Sequence, residues 1–590
     1  GIWQTNDSNA YIADGVVITE AEGVSVEDVN VSADADNFVV TITQSGSKGK
    51  IGLNGSVAVS DVDNTSMAWI EDKAQIDASG DVSVDAASSY FGVNIAGAIS
   101  KGDKLAFGVA VAVNDVDHTT QAFIGNQTTS ATYTADGHVT AGGDVSVSAD
   151  SHESIWNFTV AGSSAGGEKK TTPGWQPPTG GVPLPGLARE PEAEQTQTSA
   201  GVGISGAVAV NLVSDDTRAF ISDMALVDAT GNVLISAENG SLAVVATGAV
   251  TISTAPKGGG LAGAFSWNDF TRNTEAYTQN VEITAAGLDI SAISDDLLIS
   301  ISAGGSGAKP SSKNINIAGS AGVNIVENNT AATIGDGSLV TAYDDVLVDA
   351  LSDTMIISVT GGIAISGKGG VGAAVDFAGV DNTTEASVGS GAAIDAGGDV
   401  MITADSREWG VSIAAAVGIG GQGLGLSGAV SVQVITTDVD ACISGGATIT
   451  ADGSVLVDAD DTNFFVVVAG QAAGGKSAGV GASVVTNVIT RDVSAIIGAG
   501  AMITAYGGGS ALDDADGDWY SRRGVIVDAS AEDDLYLIAA GGAGGGKFAL
   551  AASAVTSVLE TDLEASIGSN ATITADDHDD DKLASVYVTA

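Results

Sequence analysis

The residues best suited to bind an ion are aspartates crowded into two short segments. The first set is Asp513, Asp514, Asp516 and Asp518, and the second is Asp576, Asp577, Asp579, Asp580 and Asp581. Carboxylate oxygens are ligands that Ca²⁺ prefers, and the spacing of Asp514, Asp516 and Asp518 matches positions 1, 3 and 5 of a calcium loop. Trp519 stands where that loop needs glycine, and no glutamate occupies its twelfth position. Ca²⁺ is therefore the one ion that the sequence suggests, and a solvated acidic loop is the alternative.

Groups that could carry out catalysis are sparse. The histidines lack the spacing of zinc ligands, and the lone Cys442 lies at a variable position of the repeat described below. Parallel β-helix enzymes that act on polysaccharides need carboxylates clustered with basic residues, but only Arg522 and Arg523 are adjacent here. We therefore expect a protein that is not an enzyme and requires no cofactor. The histidines are His118, His138, His152 and His578.

Charge restricts the partners. The chain has 73 acidic and 21 basic residues, a net charge of −52 and a pI of about 4.1, which argues against nucleic acid as a partner. Lysines concentrate in or beside glycine-rich segments, so we expect a weakly positive seam along one edge of an acidic molecule. The seam serves either lateral docking or solubility. Its lysines are Lys48, Lys50, Lys101, Lys104, Lys257, Lys309, Lys313, Lys368, Lys476 and Lys547.

All of these residues are embedded in an internal repeat. A phrase of the form A-x-I-G-x-G-A-x-I-T-A-x-G-D-V-x-V-x-A returns ten times, mostly at intervals of 54 to 58 residues. Two longer intervals contain a proline-rich insertion at 166–198 and an acidic insertion at 507–523. A repeat of this length indicates stacked units, so we expect residues 1–590 to form one elongated body. The first alanines of the phrase are Ala10, Ala68, Ala122, Ala219, Ala276, Ala332, Ala386, Ala441, Ala495 and Ala565.

Alternation of apolar and polar residues predicts strands throughout. It is clear at 399–402 and 454–457, and helical spacing is not sustained. The fold expected is therefore all-β: an elongated right-handed parallel β-solenoid of about ten repeats with two insertions. Each repeat forms either one wide rung, with two long sides and a short one, or a small triangular coil plus a hairpin. The uncharged run 410–435 belongs to the repeat and is not expected to span a membrane.

An amide-rich column precedes the anchor alanines by eight residues. Amides stacked from rung to rung can hydrogen-bond along the solenoid axis, which predicts a ladder, although asparagine also suits a bend at that point. The predicted ladder consists of Ser60, Asn114, Asn211, Asn268, Asn324, Gln433 and Asn487. A second column directly follows the anchors and begins with Tyr11, Trp69, Phe123, Phe220 and Tyr277, whose rings could stack. Trp175, in the proline-rich insertion, is the candidate partner contact.

The repeats resemble those of very long bacterial surface proteins of the filamentous-adhesin and leukotoxin-adhesin type. The resemblance rests on the phrases at 441–451 and 398–404 and on glycine-rich strands such as 111–114. It implies a secreted β-solenoid stalk, located outside the cell or on its surface. The expected function is a structural filament or adhesin stalk. The alternatives are a glycan-binding surface module and a polysaccharide-active β-helix enzyme.

Self-association is the partnership expected first, ahead of glycans or another cell surface. No initiating Met or leader opens the chain at Gly1, and the phrase at the C-terminus lacks its returning strands. The sequence therefore predicts that the chain polymerises head to tail or belongs to a longer solenoid.

Overall fold

The protein is an all-β parallel β-solenoid, which confirms the predicted fold class. The computed structural model describes residues 1–19, 25–127, 137–166, 200–223, 226–309, 312–508, 512, 522–576 and 584–590. Every named strand in these ranges pairs in parallel with strands of neighbouring repeats, and the ranges contain no helix. Leu512 and Arg522, within the acidic insertion, form an isolated antiparallel bridge.

Each repeat forms one wide rung rather than a coil plus a hairpin. A short strand lies at one edge, which we call the base. A long outgoing strand runs from the base to the opposite edge, the tip, and a long return strand runs back. The short strands form one sheet, and the long strands form another that continues around the tip. The tip divides this second sheet into two facing layers, which we call the outgoing sheet and the return sheet.

The strand bounds show how regular the rungs are. The short strands are β2 (Val17–Ile18), β4 (Gln75–Ala78), β6 (His138–Ala141), β9 (Leu226–Ala229), β12 (Glu282–Ala285), β15 (Leu339–Ala342), β18 (Ala393–Ala396), β21 (Thr448–Ala451), β24 (Met502–Ala505) and β27 (Thr572–Ala575). The outgoing strands are β7 (Val145–Ala165), β10 (Val233–Ser253), β13 (Leu288–Ala308), β16 (Val346–Ser366), β19 (Val400–Gly420), β22 (Val455–Gly475), β25 (Gly524–Gly545) and β28 (Ser585–Thr589). The return strands are β1 (Ile2–Ile12), β8 (Gly201–Ser222), β11 (Gly258–Gln279), β14 (Ile315–Ile334), β17 (Gly369–Val388), β20 (Leu424–Ile443), β23 (Ala478–Ile497) and β26 (Phe548–Ile567). In β3 (Val29–Glu71) and β5 (Val82–Gly125) one continuous strand covers both long sides.

The rungs stack in register from one repeat to the next. Ala386, for example, pairs with Ala441, which pairs with Ala495, so the anchor alanines form a column. The stacking continues across both insertions, because Leu105 pairs with Val202 and Val455 pairs with Val525. Of the proline-rich insertion only Gly166 is among the described residues. The insertions therefore leave the repeat register unchanged.

The base half of the rung contains an apolar core. Alternate residues of each strand point inward, and valine, isoleucine and alanine from all three sides meet there, fully shielded from solvent, as at Ile334, Val340 and Val346. The turn that leads into the short strand needs a left-handed residue, which explains the second glycine of the phrase. Gly446 has φ +80°, and Asn280 takes φ +50° at the equivalent position.

The tip half is much thinner. Its inner positions carry mostly glycine, alanine and serine, with a few larger polar side chains such as Thr251, Asn316 and Gln471, and at several points the outgoing and return backbones approach very closely. A methyl group on Gly418 would overlap the carbonyl oxygen of Leu426, and one on Gly362 would overlap that of Ala373. The rung is therefore a tapered slab, filled by branched side chains at the base and mainly by backbone and small side chains at the tip.

Candidate functional site

Four asparagines of the predicted ladder form a chain of hydrogen bonds along the solenoid axis. Nδ2 of Asn114 donates to Oδ1 of Asn211 at 2.8 Å, Asn211 donates to Asn268 at 2.6 Å, and Asn268 donates to Asn324 at 2.7 Å. All four side chains are at most 2% exposed. Because both amide groups of each link are buried and paired, the ladder fixes the register of four successive return strands.

The ladder also ties the two long sheets together. Asn94 and Asn157, on the outgoing side, donate to the Oδ1 atoms of Asn114 and Asn211, each at 2.8 Å. Asn324 has Ala378 as its next neighbour in the column and donates instead to Oγ of Ser358 at 2.9 Å. The chain of amide bonds therefore stops at Asn324.

The remaining members of the column are in register but not joined to this chain. Ser60 pairs with Asn114, and Gln433 pairs with Asn487. The amide of Asn487 has no hydrogen-bond partner among the described residues, although the side chain is fully buried. The amide chain of the predicted column thus runs from Asn114 to Asn324, and Ser60, Gln433 and Asn487 lie outside it.

Replacing Asn211, Asn268 and Asn324 together by leucine should lower the free energy of unfolding by about 1–2 kcal/mol, because their polar neighbours lose partners while the leucines regain part of this through apolar burial. The check is the thermal midpoint measured by circular dichroism. Asn487→Leu is the matched control, since it removes an amide without a partner from the same column, and its midpoint should not fall. An unchanged midpoint in the triple variant would contradict a stabilising ladder.

A buried ionic cluster lies nearer the base than the ladder, two inward positions further along the return strand. Arg272 donates Nη2 to Oγ of Ser241 at 2.6 Å, and its Nη1 lies 3.0 Å from Oδ1 of Asp296. Nδ1 of His118 lies 3.1 Å from Oε1 of Glu153. Arg272, His118, Glu153, Asp215 and Asp296 are each at most 3% exposed. Five ionisable side chains from adjacent rungs thus share one enclosed layer.

A second cluster of the same kind lies further along the axis. Nη1 of Arg491 lies 3.0 Å from Oδ2 of Asp461, and Nη2 also pairs with Asp533. Glu408, fully buried, accepts hydrogen bonds from Asn382 and Ser406, both at 2.6 Å. Arg491 occupies the same inward column as Arg272. Polar and charged side chains therefore recur at this depth of the core.

Sequence reasoning missed both clusters. His118 was judged only by its spacing from other histidines, but its neighbours Glu153 and Asp215 come from different rungs. The sequence did contain a signal for these clusters. Arg272 and Glu408 are charged residues at positions that the two-residue alternation of their strands turns inward. Such a residue in a strand that is otherwise apolar or small on that face indicates a buried partner.

Two groups of described residues have ligand atoms close enough to hold a metal ion. In the first, the donor atoms of His118, Glu153 and Asp215 lie within 4.8 Å of one another. Asp215 there already accepts hydrogen bonds from Ser151 at 2.7 Å and Thr217 at 2.9 Å.

The second group, Asp14, Glu71 and Asp72, lies near the surface at the base. The ammonium group of Lys73 bridges Asp14 and Asp72, at 3.3 and 3.4 Å, so the chain itself supplies a cation there. Of the two aspartate clusters predicted to bind Ca²⁺, only Asp576 is among the described residues; it follows β27 directly.

Burial raises the pKa of many carboxyl groups in this fold. The pKa of Asp376 rises to about 6 through burial, although Ser358 and Ser412 donate hydrogen bonds to it. The pKa values of Asp405 and Asp438 also rise to about 6, mainly through burial. The pKa values of Glu153 and Glu408 lie well above the ordinary range, because burial and a nearby aspartate both disfavour the charged form. Burial lowers the pKa of His118.

These shifts predict a protein that is more stable in mild acid than at neutral pH. A carboxyl whose pKa is raised by folding contributes stability below its unfolded value of about 4, and that contribution is lost as the pH rises through its folded value of about 6. His118 acts in the opposite sense, because its lowered pKa costs stability as the pH falls below about 6.5. Because several carboxyl groups have raised pKa values and only His118 acts in the opposite sense, the carboxyl groups should outweigh it. We therefore expect a higher melting temperature at pH 5 than at pH 7.5.

The measurement is thermal unfolding at constant ionic strength across that pH range. Asp376→Asn should remove part of the pH dependence, because asparagine keeps the side-chain size without the titration. A melting temperature that rises steadily from pH 5 to pH 7.5 would contradict the prediction.

Aromatic rings stack on the outside of the return sheet near the base. Tyr11, Trp69, Phe123, Phe220 and Tyr277 form successive parallel pairs whose ring centroids are 4.6–5.8 Å apart, with interplanar angles of at most 9°. Phe123 and Phe220 are nearly fully buried although they point away from the core. The stack thus adds to the cohesion between rungs. Trp175 lies outside the described residues.

A carboxylate ladder at the base explains the Gly-Asp step of the repeated phrase. Oδ1 of Asp81 accepts the backbone N–H of Asp144 at 2.9 Å, and Oδ1 of Asp144 accepts that of Asn232 at 2.8 Å. The same bond recurs between Asp399 and the N–H of Ser454 at 2.6 Å. Each aspartate thus satisfies a backbone donor in the next rung.

The described residues contain no helix, so none is long and apolar enough to cross a membrane. No protein-family model, curated protein or solved structure matches this chain.

Proposed function

We propose that this chain is a non-enzymatic structural protein that forms an extracellular filament or adhesin stalk, either by head-to-tail association of copies or as part of a longer solenoid. The observation that carries the proposal is the unbroken in-register stacking of the rungs, across both insertions. Each rung adds about 4.8 Å to the axis, so the structure gains length without changing its cross-section. Such a body suits a spacer that holds something away from a surface.

The inner face of β26 is the surface on which a further rung would stack in the proposed filament. Val555 and Leu559 of β26 are 47% and 50% exposed, whereas the residues paired with them on β23, Val485 and Ile489, are fully buried. A further rung stacked on β26 would bury this surface and pair its open strand edge. That rung can come from a second copy or from a longer chain.

The placement of the charged clusters favours a structural role over the enzyme alternative. The carboxylates around Arg272 are at most 3% exposed and those around Arg491 at most 15%, so a polysaccharide cannot reach them. The glycan-binding alternative depends on exposed aromatic rings, and the central rings of the outer stack, Phe123 and Phe220, are covered. Tyr11, at the end of that stack, remains exposed, and so do rings elsewhere, such as Trp3, Tyr343 and Trp409. Glycan-array binding that is lost in Tyr11→Ala would favour that alternative instead.

The test is fibre formation by the purified chain. Electron microscopy and light scattering at micromolar concentration should show rods that lengthen with concentration, and diffraction from aligned rods should show the strand spacing of about 4.8 Å along their axis. Val555→Lys combined with Leu559→Lys should shorten the rods, because both substitutions place charge on the stacking surface. A chain that stays monomeric at every concentration would contradict head-to-tail association.

A further inference from the structure

The tip half of the return sheet has an apolar outer surface. In β20 the outward residues from the tip are Leu424, Leu426, Gly428, Val430 and Val432, and the same pattern recurs in the other return strands. Leu261, Ile317 and Leu424 are 40–45% exposed. We call this surface, formed by the first ten residues of the return strands, the return-face patch. Its larger members include Leu53, Phe107, Val208, Phe265, Trp267, Val323, Val375 and Phe377.

The interior beneath the patch contains few large apolar side chains. Beneath it the inner positions hold small or polar residues, such as Ala429, Ser431 and Gln433 in β20. In the base half the arrangement is the usual one, with apolar residues inside and carboxylates outside. An exposed apolar surface of this extent marks an interaction site. The tip half of the outgoing sheet also exposes apolar side chains, such as Ile99, Ile252 and Ile363, so it serves as the comparison surface in the test below.

The patch is large enough for a stable protein interface. Ten residues along the strand, at about 3.3 Å each, and nine strands stacked at about 4.8 Å give about 1,400 Å². A typical stable interface buries about 800 Å² on each partner. A second flat sheet packed against the patch would therefore bury more than a stable dimer needs.

The surface relief of the patch fits another β-sheet. A column of small residues, including Gly263, Gly319 and Gly428, runs along the solenoid axis between two columns of larger residues. One flanking column contains Leu261 and Leu426, and the other contains Val430. Ridges and grooves that repeat at the strand spacing can interdigitate with an identical surface, as in a dry sheet-to-sheet interface.

Charge determines how two copies would be oriented. Exposed lysines, such as Lys368 and Lys476, lie at the tip beside the patch. Aspartates begin on the other side of the patch, toward the base, as at Asp381, Asp438 and Asp492. If the rungs of two copies run in opposite directions, the lysines of each copy lie over the aspartates of the other. If the rungs run in the same direction, lysines meet lysines and aspartates meet aspartates.

We propose that a second copy of this chain covers the return-face patch, through a two-fold axis parallel to the solenoid axis. In this arrangement the two solenoids point the same way, their tip halves overlap, and their acidic base halves lie on opposite sides of the pair. The interface is isologous, so it closes as a dimer. This lateral pairing is separate from end-to-end growth and doubles the rod rather than lengthening it.

The first test compares two triple variants of the full chain. Phe265→Glu, Val375→Glu and Val430→Glu together place carboxylates on the patch, and at least a tenfold weaker dimer is expected by analytical ultracentrifugation. Ile299→Glu, Ile357→Glu and Val411→Glu make the same change on the outer surface of the outgoing sheet and should leave the dimer intact. Both triple variants are made together with Val555→Lys and Leu559→Lys, which suppress end-to-end growth. Equal dimerisation of the two triple variants, or monomers of the parent chain, would overturn the proposal.

The second test measures orientation by disulfide trapping in a chain whose Cys442 is replaced by alanine. The two-fold axis passes near residues 374 and 375 of β17, which places position 368 of one copy opposite position 381 of the other. Lys368→Cys combined with Asp381→Cys should therefore give covalent dimers under mild oxidation, and Lys368→Cys alone should give few. Efficient trapping by Lys368→Cys alone would contradict the opposed orientation.

A lipid surface is the competing occupant of the patch. Vesicles of phosphatidylcholine and phosphatidylglycerol should not carry the chain upward in a density-gradient flotation assay. Flotation that is abolished by the return-face triple variant but not by the outgoing-sheet triple variant would overturn pairing in favour of lipid.

Discussion

Gly418→Ala should be among the most damaging single substitutions in this protein, although it adds only one methyl group. That methyl would overlap the carbonyl oxygen of Leu426 on the opposite sheet. Backbone cannot move aside by changing a rotamer, so the two sheets must separate and loosen the neighbouring rungs. We expect a loss of about 3 kcal/mol or more in the free energy of unfolding, at or above the upper end for overpacked cores.

Gly470→Ala is the matched control for this substitution. Gly470 lies in the neighbouring outgoing strand, and nothing is within 4 Å of the place where its methyl group would lie. Its thermal midpoint should be equal to or slightly above that of the parent chain, because alanine restricts the unfolded chain. Hydrogen exchange should show lost protection in β19 and β20 for the Gly418 variant only. Similar midpoints for the two variants would mean that the sheets are further apart than described.

Arg272→Met should cost about 3–5 kcal/mol at neutral pH, because it removes the cation of a buried cluster and keeps a similar volume. Asp296 would then lose its partner at 3.0 Å, and Glu153 would lose the nearest guanidinium group. Protonation of the stranded carboxyls should relieve the cost, so the loss should be smaller at pH 5 than at pH 7.5. The measurement is the thermal midpoint of variant and parent at both pH values.

Two further variants isolate the charge effect. Arg272→Met with Asp296→Asn should regain part of the lost stability, since fewer carboxylates are left without a cation. Arg218→Met is the surface control; Arg218 lies 2.7 Å from Asp216 and is 36% exposed, and an exposed pair of this kind contributes at most about 1 kcal/mol. Equal losses for Arg272→Met and Arg218→Met would contradict a dominant role for the buried charge.

Periodicity is the reason that the fold could be predicted from the sequence. The return of the anchor alanine at a nearly fixed interval predicts stacked rungs, and the two-residue alternation predicts strands. The amide column at Asn211, Asn268 and Asn324 was visible for the same reason, since a ladder needs one residue type at one offset. A structural feature that repeats in every rung can therefore be recognised from a single sequence.

Features that depend on the distance between the outgoing and return sheets could not be predicted from the sequence. Nothing in the sequence around Gly418 distinguishes a turn glycine from one pressed against opposing backbone. His118 and Glu153 meet only because 35 residues of chain return them to the same depth in adjacent rungs. The apolar columns of the return-face patch read as ordinary core strands, because alternation reveals that a strand has two faces but does not tell which face is inside.

The tapered slab also determines how such a rod would bend. One long side of a rung has 21 residues, as in β19, and at about 3.3 Å per residue the cross-section is about 70 Å wide. The two packed sheets are only about 10 Å apart. The stiffness of a beam grows with the cube of its depth in the bending direction, so a ribbon of these proportions is about 50-fold stiffer across its width than through its thickness. A single rod would flex readily toward either broad face and resist bending edgewise. It would behave as a leaf spring, able to lie flat along a curved surface while keeping its two edges, one cationic and one acidic, in the same order along its length.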